Sequence, residues 1–151
     1  MKRYIAYILL LLPLLMACEE KKTEPAAQLM QQIRADYEAK HYDECIAAID
    51  SLRHAYPKAV KERKEAHLLF VKASIERAQQ ILADVDPKLE AAKRDYADYH
   101  RRVEAHKATG DATEHELTTD MQKLALRDSL QIVFSTQCKI INYLHKRQKK
   151  E

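Results

Sequence analysis

Histidines are frequent enough in this sequence to suggest a metal site. The seven histidines are His41, His54, His67, His100, His106, His115 and His145. No two of them stand four residues apart, the spacing that brings two histidines to one helix face for zinc, and His115-Glu116 lacks the second histidine of a zinc-protease helix. We therefore predict no metal site and interpret the histidines as residues of helix surfaces or helix contacts.

Carboxylates and glycines give no catalytic pattern either. The acid pairs are Asp84/Asp86, Asp95/Asp98 and Glu114/Glu116. Such pairs are common on solvated helices, and the sequence indicates no apolar pocket around them. A single glycine excludes a glycine-rich phosphate loop, and no nucleophile elbow is present. We predict no catalytic residue and no enzymatic activity.

The N-terminal region combines two cations at positions 2–3, an apolar run at residues 5–16 and a cysteine. The run is shorter than the roughly 20 residues that a membrane-spanning helix needs. It closes with Leu-Met-Ala-Cys at residues 15–18, which resembles the lipobox of bacterial lipoproteins. The resemblance implies a signal peptide at residues 1–17, cleavage between Ala17 and Cys18, and a diacylglycerol and an acyl chain such as palmitate on Cys18.

The same resemblance implies an outer-membrane lipoprotein that faces the periplasm or the cell surface, with no cofactor beyond its lipid. Residues 18–26 are charged and contain Pro25, so they indicate a flexible lipidated tether. Glu19-Glu20 also resembles the acidic signal that directs some Gram-negative lipoproteins to the cell surface. A solvated tether is the alternative interpretation of these two residues.

Composition favours an all-α fold, since the chain has one glycine and is rich in Ala, Leu, Lys, Glu, Gln and Arg. Loss of Lys2 and Arg3 with the signal peptide lowers the formal net charge from +3 to about +1. Nucleic acid is therefore not expected as a partner. Cys45 and Cys138 remain, either as a disulfide or as two small apolar residues on helices, because spacing alone cannot place them within bonding range.

Residues 27–57 contain two short helical stripes separated by Lys40-His41. The stripes contain Leu29, Ile33 and Tyr37, and then Cys45, Ile46, Ile49 and Leu52. This pattern predicts an αα-hairpin that ends at Tyr56-Pro57. The run KHYDECIAAIDSLRHAYP at residues 40–57 resembles the second helix of a tetratricopeptide repeat. Such a repeat needs a neighbour to cover its apolar face.

Residues 58–107 supply that neighbour as one long helix. An alternating spacing of three and four residues runs through Leu68, Val71, Ile75, Ala78, Leu82, Val85, Leu89, Ala92, Tyr96, Tyr99, Val103 and His106. This heptad pattern predicts a coiled-coil seam. Its phase is kept across Pro87, so we predict one helix with a kink at Pro87 rather than two helices.

A turn is predicted at residues 108–113, which contain Gly110, and a last helix at residues 114–151, with Thr113 and Glu116 at capping-box spacing. The short connection makes the last helix antiparallel to the previous one. The predicted fold is all-α: a short αα-hairpin packed against the base of a long antiparallel two-helix coiled-coil hairpin.

The last helix changes character along its length. Its apolar face is narrow at Leu117, Met121 and Leu124, and broad at Leu126, Leu130, Val133, Phe134, Cys138, Ile140, Ile141 and Leu144. We expect the broad part to return beside residues 66–81 and to have two sets of neighbours there. The tyrosines Tyr37, Tyr42, Tyr56, Tyr96 and Tyr99 are interpreted as packing residues, with a binding surface as the alternative.

The C-terminal tail carries the cations Lys146, Arg147, Lys149 and Lys150. They could contact anionic lipid headgroups or surface-glycan phosphates, or they could serve only the helix dipole and solubility.

The sequence therefore predicts a lipid-anchored, non-enzymatic envelope protein that binds a protein partner. The alternatives are a module that binds envelope polymers or anionic lipids through the basic tail, and an accessory subunit of an envelope-assembly complex. Exposed heptad residues could also produce a homo-oligomer. The whole chain resembles envelope lipoproteins that join one repeat to a long helical hairpin, a resemblance that implies no activity.

Overall fold

The computed structural model describes residues 25–149, and every regular element in that range is a helix. Helix α1 covers residues 25–38 and is followed by α2 (Tyr42–Ala55), α3 (Val60–Thr109) and α4 (Glu114–Gln148). The predicted all-α fold class is therefore confirmed. The predicted signal peptide, the predicted lipidation site at Cys18 and most of the predicted tether lie outside the described residues.

Helices α1 and α2 pack on the first part of α3, up to Ser74, as one compact unit. Its buried core consists of Ala26, Met30, Ile33, Tyr42, Cys45, Ala48, Ile49, Leu52, Ala59, Ala66 and Ala73. Arg34 of α1 donates two hydrogen bonds, of 2.6 and 2.7 Å, to the carboxylate of Glu65 on α3. This bidentate pair fixes α1 against α3 at the edge of the core.

The prediction of a flexible tether at residues 18–26 is wrong for its last two residues. Pro25 and Ala26 are helical, and Ala26 is fully buried because its methyl group fits into the core of the first unit. The turn between α1 and α2 falls at the predicted break: Lys40 has φ +61°, and His41 N–H donates to Asp36 O at 2.9 Å.

The second compact unit begins at Ile75 and contains the rest of α3 and all of α4. Helix α3 is a single helix that includes Pro87, as the heptad phase predicts. Its buried positions within this unit are Ile75, Ala78, Val85, Leu89, Ala92 and Val103. The seam prediction is wrong at Leu68, which is 61% exposed, because the neighbouring Ala66 and Ala73 are the residues that enter the core of the first unit.

The chain reverses after α3 at Gly110, whose φ of +82° lies in the left-handed region that glycine adopts without strain. Asp111 N–H donates to His106 O at 2.8 Å and closes the helix end. Thr113 then caps α4: its side chain accepts from the Glu116 N–H, and Glu116 accepts from the Thr113 N–H. This capping box starts α4, which packs against α3.

Candidate docking surface on helix α4

Helix α4 exposes a row of large apolar side chains. Leu126 is 55% exposed, Ile132 65% and Tyr143 59%, whereas Val133 at 38% and Ile140 at 37% are more than half covered. The expected packing of the broad apolar face is therefore wrong at Leu126, which is more than half exposed. The sequence pattern predicts a broad apolar face, and the part of α4 that is buried is narrower than this face.

These residues form a second heptad pattern on α4. Leu126, Val133 and Ile140 are seven residues apart, and Ser129, Thr136 and Tyr143 occupy the intervening positions. All six are exposed. A spacing of alternately three and four residues keeps them on one side of the helix. We call Leu126, Ser129, Val133, Thr136, Ile140 and Tyr143 the α4 stripe.

The less exposed side of α4 combines polar and apolar residues, with Leu124, Leu130, Phe134 and Ile141 half-buried. Asp120 and Leu144 are the residues that α4 buries, and Asp120 is only 8% exposed. Its Oδ2 lies 2.9 Å from Nδ1 of His100 on α3, and its Oδ1 is buried without a protein hydrogen-bond partner. Tyr96 stacks on the His100 ring at a centroid distance of 5.1 Å.

Ionic and cation–π contacts continue this packing on both sides of Asp120. Lys123 Nζ donates to Asp95 Oδ2 at 2.6 Å, and the Arg127 guanidinium lies 4.6 Å from the centre of the Tyr96 ring. Toward the turn, His106 Nδ1 lies 2.8 Å from Glu116 Oε1. These contacts fix α4 against α3 within the second unit, so the α4 stripe sits on an oriented helix.

The rim of the α4 stripe is basic. Lys139 and Lys146 are exposed. Lys139 directly precedes Ile140 of the α4 stripe, and Lys146 precedes Arg147, which continues the same heptad pattern beyond the α4 stripe. The Arg147 guanidinium lies 6.0 Å from the Tyr143 ring centre. Of the predicted tail cations, Lys146, Arg147 and Lys149 are exposed, and Lys150 lies outside the described residues.

A second surface feature is a shallow cleft of about 490 Å³ in the first unit. It is lined by Arg53, Val60, Arg63, Lys64, His67 and Leu68. Arg53 donates to Asp50 at 2.9 Å and Arg63 to the Pro57 carbonyl at 2.7 Å. Asp50 offsets the charge of Arg53, whereas the neutral Pro57 carbonyl leaves the charge of Arg63 unchanged.

Both remaining cysteines are free thiols, so the disulfide alternative is not formed in the structure. Cys45 is fully buried, and this burial raises the pKa of its thiol, which makes it unreactive. Cys138 is half-buried on α4. Among the tyrosines, Tyr42 is buried and packs on Tyr37 at 5.9 Å between ring centres.

Residues 25–149 contain neither a metal-binding cluster nor a membrane-spanning helix. Within residues 25–149, no group of three or more His, Cys, Asp or Glu side chains is arranged to hold a metal ion. In that part of the chain, no helix is long and apolar enough to cross a bilayer. Comparison with protein-family models, curated proteins and solved structures finds no match.

Proposed function

We propose that the chain is a lipid-anchored protein of the bacterial envelope, without enzymatic activity, that binds a protein partner on the α4 stripe. The lipobox-like residues 15–18 support the anchor and the outer-membrane location. The observation that carries the binding function is the heptad spacing of Leu126, Val133 and Ile140, which are 55%, 38% and 37% exposed. Contiguous apolar surface of this kind typically marks an interaction site.

The geometry of the stripe favours a helical partner. Side chains spaced alternately by three and four residues interdigitate with those of a second helix, as knobs into holes. Full burial of an exposed large apolar side chain contributes about 1.5–3 kcal/mol. A partner can add only the fraction that is still exposed, which is 55% at Leu126, 38% at Val133 and 37% at Ile140. Helix α4 is already ordered because it packs against α3. Binding therefore costs less conformational entropy than it would for a helix that folds on binding.

A photo-crosslinking amino acid at Val133 tests the binding function in cells that produce the chain at native level. We expect a covalent protein adduct of defined mass from position 133. Position 94 is the control, because Arg94 is exposed and polar on α3 of the same unit. No protein adduct from Val133, Leu126 or Ile140 would contradict the proposed function.

The anchor is tested separately through Cys18. The variant Cys18→Ser removes the thiol that the lipobox resemblance assigns to the lipid. We expect it to lose metabolic labelling with a palmitate analogue and to be released from membranes by carbonate, whereas Cys138→Ser keeps both properties. Unchanged membrane retention of Cys18→Ser would refute lipid anchoring.

The basic tail supports a second candidate function, the binding of anionic lipid headgroups or envelope polymers. Lys146, Arg147 and Lys149 are all exposed at the end of α4, and exposed cations near a lipid surface each contribute about 1 kcal/mol. In the Cys18→Ser background, replacing the three with Gln should abolish flotation with anionic vesicles at low salt. Replacing Lys88, Arg94 and Arg101 instead removes the same charge from α3. Equal flotation of both triple variants would exclude a role for the tail.

A further inference from the structure

We infer that the α4 stripe pairs in antiparallel orientation with the α4 stripe of a second copy of this chain. The inference rests on the proposed function and names the partner. It comes from the order of large and small residues along the stripe, from the charges beside it, and from the exposure of every stripe position in the single chain.

The antiparallel register leaves no layer without a large apolar side chain. When Val133 faces Thr136 of the second copy, Leu126 faces Tyr143 and Ile140 faces Ser129. A large residue therefore fills the space beside each small polar one, which is the arrangement that packs well in a helix pair.

The parallel, in-register alternative pairs every residue with itself. Ser129 would then face Ser129, and Thr136 would face Thr136, which gives two polar layers inside the seam. Arg147, at the next stripe position, would face Arg147 of the second copy, and like charges in contact destabilise a helix pair. The sequence of the stripe thus disfavours the parallel arrangement.

Flanking charges agree with the antiparallel pair. In that register Lys139 lies opposite Ile132 of the second copy, and Lys146 lies opposite Ala125. Each lysine can lay its methylene stem over an apolar side chain and keep its ammonium group in water. Ile132, which is 65% exposed in the single chain, is covered in this way. At these flanking positions neither lysine therefore faces a like charge of the second copy.

The pairing is isologous, because each copy contributes the same surface. A two-fold axis passes between Val133 and Thr136, and the contact closes on itself without leaving a second free surface. The product is a dimer rather than a filament. A different helix with acidic flanks is the competing occupant, and the experiment below separates the two.

Cysteine cross-linking tests orientation and partner together. The full chain is purified in detergent as a variant with Cys18→Ser, Cys45→Ala and Cys138→Ser, and one cysteine is then introduced as Thr136→Cys or Ser129→Cys. In the antiparallel pair the two 136 positions are about 4.5 Å apart along the helix axis, whereas the two 129 positions are about 17 Å apart, at about 1.5 Å per residue. Both sites are exposed and polar, so they are matched.

With copper phenanthroline as the oxidant, Thr136→Cys should form a disulfide-linked dimer and Ser129→Cys should stay a monomer. A mixture of the Ser129→Cys and Ile140→Cys chains should give the mixed dimer. Dimers from both single variants would show a parallel pair and overturn the antiparallel arrangement. Monomers from every variant, with a monomer in sedimentation at the same concentration, would overturn self-pairing.

A charge-introducing variant gives an independent readout. Val133→Glu places two carboxylates beside the two-fold axis, so it should shift sedimentation from dimer to monomer with an unchanged circular dichroism spectrum. Arg94→Glu is the control and should remain a dimer. The photo-crosslinking experiment separates self-pairing from the proposed binding function. An adduct between Val133 and a different protein would refute self-pairing but support binding on the α4 stripe. The absence of any protein adduct would refute both.

Discussion

Helices α2 and α4 use their apolar residues in opposite ways. The 14-residue α2 buries Tyr42, Cys45, Ala48, Ile49 and Leu52. The 35-residue α4 buries only Asp120 and Leu144. The short helix thus places nearly all of its large apolar side chains in the core of its own unit, whereas the long one keeps Met121, Leu126, Ile132 and Tyr143 more than half exposed.

The difference shows where the two helices obtain their stability. Helix α2 lacks a side-chain cap at His41 and is held by the buried contacts of Ile49 and Leu52. Helix α4 has a capping box at Thr113 and polar contacts to α3 around Asp120. Local, polar and partly buried apolar contacts therefore hold α4 in place, while Leu126 and Tyr143 of the α4 stripe stay more than half exposed.

The largest expected effect is the contrast between two leucine truncations. Leu52→Ala removes a fully buried side chain and should lower the free energy of unfolding by about 2–5 kcal/mol. Leu126→Ala truncates a side chain that is 55% exposed and should cost less than about 1 kcal/mol in the monomer. Urea unfolding at low protein concentration measures both. Equal losses would break the comparison between α2 and α4.

Substitution of Pro87 tests whether helix propensity limits the stability of the second unit. A proline in a helix interior cannot donate to the carbonyl four residues earlier, here Ala83, and costs about 3 kcal/mol. Pro87→Ala should therefore slow hydrogen exchange in α3 and raise the free energy of unfolding by up to about 3 kcal/mol. Lys88→Ala, on the next exposed residue, should change it little. No gain from Pro87→Ala would mean that packing, rather than helix propensity, limits this region.

His100 tests the polar packing of α4. His100→Ala leaves the buried carboxylate of Asp120 without its 2.9 Å partner and should cost about 1–3 kcal/mol. The double variant His100→Ala with Asp120→Leu should recover most of that loss, because no unpaired buried charge remains. Thermal unfolding of the single and double variants measures the coupling. Additive losses would show that the pair does not act as a unit.

Local signals made much of the fold predictable from the sequence. Gly110 marks the turn, and Thr113 with Glu116 marks the start of α4, because each acts on the backbone within a few residues. The continuous heptad phase marks α3 as one helix across Pro87 for the same reason. Such features depend on the order of residues and not on what surrounds them.

The exposure of the α4 stripe was less predictable, because periodicity identifies an apolar face without showing what covers it. Leu126 and Ile140 belong to the broad face that the sequence assigns to packing, yet they are exposed. Asp120 shows the opposite difference. An acidic residue on a helix is expected to face solvent, yet Asp120 is buried beside His100, which lies 20 residues away across the turn. Leu68 was expected to be buried and is exposed, and Ala26 was expected to be solvated and is buried. In both cases the burial is set by tertiary neighbours.

The smallest expected effect concerns the acid limit of α4 stability. The Thr113 N–H donates to Glu116 Oε2 at 2.9 Å, and this hydrogen bond, with the Thr113 hydroxyl and His106, lowers the pKa of Glu116. A carboxyl group whose pKa is lower in the folded than in the unfolded chain adds stability above its unfolded pKa of about 4.3, and that stability is lost as the pH falls through the folded pKa. Protonation should therefore loosen the start of α4 below about pH 4, while α2 has no such cap to lose.

Glu116→Gln removes the titrating group and keeps an amide oxygen that can accept from the Thr113 N–H. We expect the acid branch of the stability–pH profile to become shallower in this variant, without disappearing, because the Arg34 and Lys107 hydrogen bonds also lower the pKa values of Glu65 and Glu104. Glu114→Gln, in the same first turn but outside the capping box, is the matched control. Urea unfolding across the acid range measures all three chains. If Glu114→Gln flattened the profile as much as Glu116→Gln, the helix dipole rather than the capping box would stabilise the start of α4.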